Sequence, residues 1–118
     1  VLFSKYNEIV LCDDQKNLLD ALEMKLNRHS KPLNIKTFSS CEQILVASSS
    51  KNKALYMVDF DLGQGKMTGI DFLSEYPWLA RDFVLVTGHY DDPKIQEACQ
   101  RLGCKLLSKD SLFQIDFI

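Results

Sequence analysis

Short apolar runs of four to six residues recur along this chain, and the stretches between them carry apolar residues at helical spacing. No other feature limits the fold as much, because strands that alternate with helices are joined by crossovers and therefore run parallel. Glu8 to Cys12 reads as a strand, and Asn17 to Arg28 then places Leu18, Leu19, Leu22 and Leu26 on one helical face. Leu33 to Phe38 is a second strand. Ser39-Ser40-Cys41-Glu42 fits a capping box that opens a helix through Ile44, Leu45 and Val46. Ala54 to Val58 precedes a helix with Ile70, Phe72 and Leu73 that stops at Pro77. Phe83 to Val86 precedes Asp92-Pro93, an N-cap with proline in the first turn, and a helix ending at Gly103. Lys105 to Ser108 is a fifth strand, and Ser111 begins a last amphipathic element.

Five such units predict a single α/β domain with a doubly wound parallel sheet covered on both faces. The 118 residues suffice for one core. Fourteen Lys and Arg against sixteen Asp and Glu leave a net charge of −2, without the dense basic face that nucleic-acid binding requires. No apolar run approaches the ~20 residues of a membrane span. Cys12, Cys41, Cys99 and Cys104 show no C-x-x-C pair and no zinc-like spacing, and the apolar settings of Cys12 and Cys41 favour a reducing cytoplasm. The first residue is Val1 and the last amphipathic element ends abruptly, so residues 1–118 are expected to be a domain excised from a longer protein with its last helix cut short.

In doubly wound sheets the ligand site lies beyond the carboxyl ends of the strands. Asp13 and Asp14 follow the first strand, Asp59 the third, Thr87 the fourth and Lys109 the fifth. Asp14 alone would serve as an N-cap for the first helix. Three carboxylates brought together repel one another unless a cation neutralises them, and oxygen ligands of this kind suit Mg²⁺. A lysine and a hydroxyl beside them suit an anion held against the metal, which is the layout of a phosphoryl-transfer site.

The stretches E-I-V-L-C-D-D-Q (8–15), A-L-Y-M-V-D-F-D-L (54–62), M-T-G-I-D-F-L (67–73), F-V-L-V-T-G (83–88) and L-G-C-K-L-L-S-K (102–109) occur in order. Together they resemble the receiver domains of two-component response regulators, across nearly the whole chain. The resemblance implies a flavodoxin-like (CheY-like) sheet of strand order 2-1-3-4-5. It makes Asp59 the phosphoacceptor, fed by a sensor histidine kinase, a phosphotransfer protein or a small phosphodonor. It makes Asp13, Asp14, Asp59 and the backbone carbonyl of Asp61 the Mg²⁺ ligands. Lys109 would pair with Asp59 and then with the phosphoryl oxygens, and Thr87 would swing inward to hydrogen-bond them. The phosphorylated state would pass to an output domain or downstream protein, with a homodimer as one form.

Departures from the family include Asp110 where it has proline and Leu106 where it has an aromatic residue. Gly63 stands in place of proline, and a longer separation divides Asp59 from Gly69, implying a longer and more mobile loop. Asp61 and His89 occupy positions that tune phosphoaspartate lifetime in the family, although His89 reads equally as a solvated loop residue. Two other functions compete. The D-x-D of Asp59 and Asp61 suggests a phosphohydrolase of the haloacid dehalogenase type. Leu106, Asp110 and the altered loop suggest a pseudo-receiver that only binds a protein partner.

Overall fold

The computed structural model describes residues 5–28, 33–44 and 53–114. Strands β1 (Glu8–Cys12), β3 (Ala54–Asp59) and β4 (Phe83–Thr87) lie at the centre of a five-stranded parallel sheet, with β2 (Asn34–Phe38) and β5 (Lys105–Ser108) at its edges. The strand order is 2-1-3-4-5. Every residue of β1 and β4 is buried, as is β3 after Ala54, because both faces of the sheet are covered. That is why these three read as unbroken apolar runs while β2 and β5 carry polar residues. The charge that opens β1, Glu8, is met by Lys36 of β2 at 2.7 Å.

Helix α1 (Lys16–Asn27) covers one face, burying Leu19, Leu22 and Leu26 against Ile9, Leu11, Met57, Val84 and Val86. Each buried leucine contributes about 2 kcal/mol. Helices α2 (Gly69–Glu75) and α3 (Pro93–Leu102) cover the other face, where Phe72, Leu73 and Ile95 meet Val10, Val58 and Leu85. Tyr56, Phe72 and Phe83 stack there with ring centroids 6.2 to 6.5 Å apart. Trp78 meets Tyr76 edge-on at 5.5 Å but is 62% exposed, a rim residue. No helix among the described residues is long and apolar enough to cross a membrane.

Most predicted boundaries hold to within a residue or two; the caps hold less well. Asp92 accepts the Lys94 N–H at 2.9 Å, Pro93 opens α3, and Gly103 ends it with φ of 79°. The expected capping box at Ser39–Glu42 does not form. Gln43 reaches back instead, its Oε1 accepting from both the N–H and the hydroxyl of Ser39, and closes a 3₁₀ turn over Cys41–Gln43. Leu45 and Val46, expected to continue that helix, lie outside the described residues. The capping box sits at Thr68 and Asp71, each side chain bonding the other's N–H at 3.1 Å. Nor is Asp14 the cap of α1: Gln15 occupies that position, and the carboxylate that turns to the helix start is Asp13, which accepts the Gln15 N–H at 2.8 Å. The last element is a 3₁₀ segment, Lys109–Gln114, with Leu112 buried against α1's side of the sheet.

Helix α2 starts where its backbone nearly touches β3. A Cβ on Gly69 would stand 2.8 Å from the Asp59 carbonyl oxygen and 2.6 Å from Leu85 Cδ1. Gly69→Ala is expected to destabilise the fold by about 1–3 kcal/mol despite the better helix propensity of alanine. A urea midpoint equal to or above that of the wild type would show that the contact can relax.

Candidate functional site

Strand register assembles the site. Cys12 pairs with Val58, so Asp13 and Asp59, one residue further on, emerge side by side at the carboxyl end of the sheet. Asp59 pairs with Val86 and Thr87 with Ser108, so Thr87 and Lys109 follow one residue beyond their own neighbours. Lys109 Nζ lies 3.0 Å from Asp59 Oδ2 and 3.2 Å from Asp13 Oδ2, bridging both carboxylates. Asp13 and Asp59 are buried, whereas Asp14 is exposed at the mouth. One carboxylate oxygen from each of the three falls within 4.8 Å of the others.

Beneath Asp13 and Asp59 lie the apolar side chains of Leu11, Leu19, Met57, Val86 and Leu112. This burial is the largest influence on Asp59 and pushes its pKa from 3.8 to about 6, with the charge of Asp13 adding to the rise. Lys109 and a backbone hydrogen bond from Asp61 pull the other way without prevailing. For Lys109 the balance reverses: burial disfavours the ammonium, yet the carboxylates hold its pKa above the ordinary lysine value.

Above the carboxylates opens a solvent-facing pocket of about 320 Å³, lined by Asp14, Gln15, Asp59, Asp61, Gly63, Gln64, Gly88, His89 and Lys109. A side chain at Gly88 would meet nothing, so that wall is open. The Asp61 carboxylate is exposed and accepts the Gly63 N–H at 3.1 Å. Thr87 ends β4 fully buried, its Oγ1 accepting the His89 N–H at 2.9 Å, and it does not line the pocket. Asp13, Asp14, Asp59 and Lys109 are thus brought together as the strand ends implied, Asp61 and His89 stand on the rim, and Thr87 is held back by its own loop. Gln15 and Gln64 were not singled out in sequence. Gln15 could have been, since it directly follows the acidic pair; Gln64 sits in a loop with no periodic signal.

Three carboxylates converge here and one ammonium meets two of them, so negative charge remains in excess at a pocket mouth whose donors are hard oxygens. That donor set fits Mg²⁺ or Ca²⁺ and disfavours soft, thiolate-seeking metals.

The raised pKa of Asp59 has a sign that can be tested. The folded chain holds the Asp59 proton more tightly than the unfolded chain, so this group's contribution to stability is complete below about pH 4 and is lost as pH rises through about 6. The shift corresponds to about 3 kcal/mol at most. In chelator-treated buffer, the stability of Asp59→Asn relative to wild type should therefore increase between about pH 4 and about pH 8, read from urea midpoints. A flat or falling difference would contradict the assignment of burial as the dominant influence.

No family model matches the chain, and no curated protein matches it. Solved structures do. An uncharacterized protein from Neptuniibacter caesariensis superposes with a TM-score of 0.69 at 24% identity, over 91% of this chain and 82% of that one. A response regulator from Burkholderia pseudomallei, with a phosphorylated aspartic acid, a calcium ion and citrate, gives 0.69 at 18% identity, over 87% of this chain and 59% of that one. A CheY-like receiver domain protein from Methanospirillum hungatei gives 0.70 at 19% identity, over 88% and 82% respectively. With its 2-1-3-4-5 sheet and helices on both faces, the chain has the flavodoxin-like fold of response regulator receiver domains.

Proposed function

We propose that this chain is a phosphoacceptor receiver domain, taking a phosphoryl group onto Asp59 in a Mg²⁺-dependent reaction. The observation that carries the reading is the contact of one lysine, Lys109, with two buried strand-end carboxylates, while a third carboxylate, Asp14, stands within metal-sharing distance. Asp13, Asp14 and Asp59 would hold the cation, joined by the Asp61 backbone carbonyl. When bound, Mg²⁺ supplies charge neutralisation for the carboxylates and for the incoming phosphoryl oxygens.

The protein's own groups account for the transfer. An Asp59 carboxylate oxygen forms the new O–P bond, and the N–P bond of a phosphohistidine on a sensor kinase or phosphotransfer protein breaks, its electron pair returning to the imidazole. Asp59 must be ionised to attack, which its pKa of about 6 permits at neutral pH. Lys109 exchanges its contact with the carboxylate for one with the phosphoryl oxygens. The pocket wall at Gly88 leaves the approach open. Thr87 retains its O–H as a donor while Oγ1 accepts from His89, so turning inward toward the phosphoryl group would draw the 88–92 loop with it. The moved loop would change a face presented to an output domain, a downstream protein or a second copy. The setting would be the cytoplasm, and the domain's own catalysis would be confined to self-phosphorylation and self-dephosphorylation.

The dehalogenase-type alternative needs Asp61 as acid and base, but that carboxylate is turned to the Gly63 N–H. Incubation with acetyl phosphate and Mg²⁺ is expected to add one phosphoryl group by intact mass, with none added after chelation or in Asp59→Asn. Lys109→Ala should slow labelling by roughly 100-fold or more. Equal labelling of Asp59→Asn would remove the assignment; no labelling and no Mg²⁺ binding by the wild type would favour the pseudo-receiver; turnover of phosphate esters would favour the hydrolase.

A further inference from the structure

The last turn of α3 reverses at Gly103, and the N–H groups of Gly103 and Cys104 both donate to the Cys99 carbonyl, at 2.8 and 3.1 Å. A reversal of this kind lays the second residue past the helix cap over the third residue before it, a contact that apolar side chains commonly fill. Here both positions are cysteine. Neither is in a disulfide, Cys104 is the first influence lowering the Cys99 pKa and Cys99 the first raising that of Cys104, and both pack into the core on the α2 and α3 side of the sheet. They differ in access: Cys99 is 3% exposed, whereas Cys104 is half-buried and reaches solvent. The other two cysteines, Cys12 and Cys41, are both buried.

The geometry points to Cys99 and Cys104 as a redox-modification site, which a small-molecule disulfide converts to an intrachain disulfide across the C-terminus of α3. One proton leaves the pair, and the thiolate reacts through Cys104, the sulfur the reagent can reach: it attacks one sulfur of the reagent, whose S–S bond breaks, and the first small thiolate departs with its electron pair. Cys99, held against Cys104, then attacks the Cys104 sulfur and expels the second thiolate. Two protein thiols and one disulfide thereby give one protein disulfide and two small thiols, with two electrons passing to the reagent and the two released protons ending on its thiolates. The new bond ties α3 to the start of β5, an edge strand that among the described residues pairs only with β4. It lies outside the acidic pocket, so the inference does not rest on the phosphoacceptor reading.

Oxidised glutathione is the probe. After incubation of the reduced chain, thiols titrated in denaturant are expected to fall from the four of the sequence to two. Intact mass should show no retained glutathione, and mapping without reduction should join Cys99 to Cys104. Cys99→Ser should trap one glutathione per chain on Cys104, and Cys104→Ser should keep its three thiols. Amide exchange over residues 104–107 should slow in the oxidised wild type. Four surviving thiols, a lasting glutathione adduct on wild-type Cys104, or a bond mapped to Cys12 and Cys41 would each overturn the proposal. The wild-type thiol count decides the matter even where a variant fails to fold.

Discussion

Two carboxylates buried beside each other at the ends of adjacent strands are the constraint around which this molecule is arranged. Register makes Asp13 and Asp59 neighbours, and the packing of α1 and Leu112 beneath them removes water from one side. Neither charge could be buried there alone without several kcal/mol of penalty. The Lys109 ammonium, at 3.0 and 3.2 Å, is what makes the arrangement tolerable. It does not make it comfortable, since the pKa of Asp59 remains raised with the lysine in place. The residual tension is chemically useful, because a further cation or a ligand that draws charge off Asp59 relieves it.

The neutralising group comes late in the chain. Lys109 lies 50 residues after Asp59 and follows the edge strand β5, so full burial of the acidic pair waits on the last strand docking against β4. The same 3₁₀ segment that begins with Lys109 supplies Leu112 to the apolar floor below, and its Phe113 carbonyl receives the Lys25 ammonium from α1. Polar cover, apolar floor and the tie to α1 therefore sit on six consecutive residues. A change in what Lys109 touches acts on a segment that also closes one face of the core.

The central strands were legible because burial on both faces leaves no polar position to obscure them, as in Ile9 to Cys12 and Phe83 to Val86. Their carboxyl ends were legible for a related reason: a charge that directly follows such a run has no place in the core and must belong to the strand-end surface. Caps were harder. Ser39-Ser40-Cys41-Glu42 and Thr68 with Asp71 are similar local signals, and only the competing reach of Gln43 for Ser39 separates the one that fails from the one that forms. Asp13 and Asp14 were indistinguishable as types; the register of β1 against β3 buries the first and leaves the second at the mouth. The closeness of Cys99 and Cys104 was hidden because five positions of separation mean nothing until Gly103 reverses the chain and the Cys104 N–H reaches the Cys99 carbonyl.

Two loops border the pocket, one after β3 and one after β4. The loop between β3 and α2 is long and takes left-handed φ at Gly63 and Gly65, yet its ends are fastened: Phe60 N–H donates to the Val86 carbonyl at 2.8 Å, and Gly69 N–H to the Phe60 carbonyl at 3.2 Å. The length of the loop lies between those two bonds, beyond Asp59 at the end of β3. The loop after β4 is fastened differently. Its first tie is the His89 N–H on Thr87 Oγ1, a bond made to the group that the phosphoacceptor reading asks to move. Next come the Asp92 N–H on the His89 carbonyl and the Asp92 cap on α3. On that reading, a Thr87 rotation would be transmitted through backbone bonds into the start of α3.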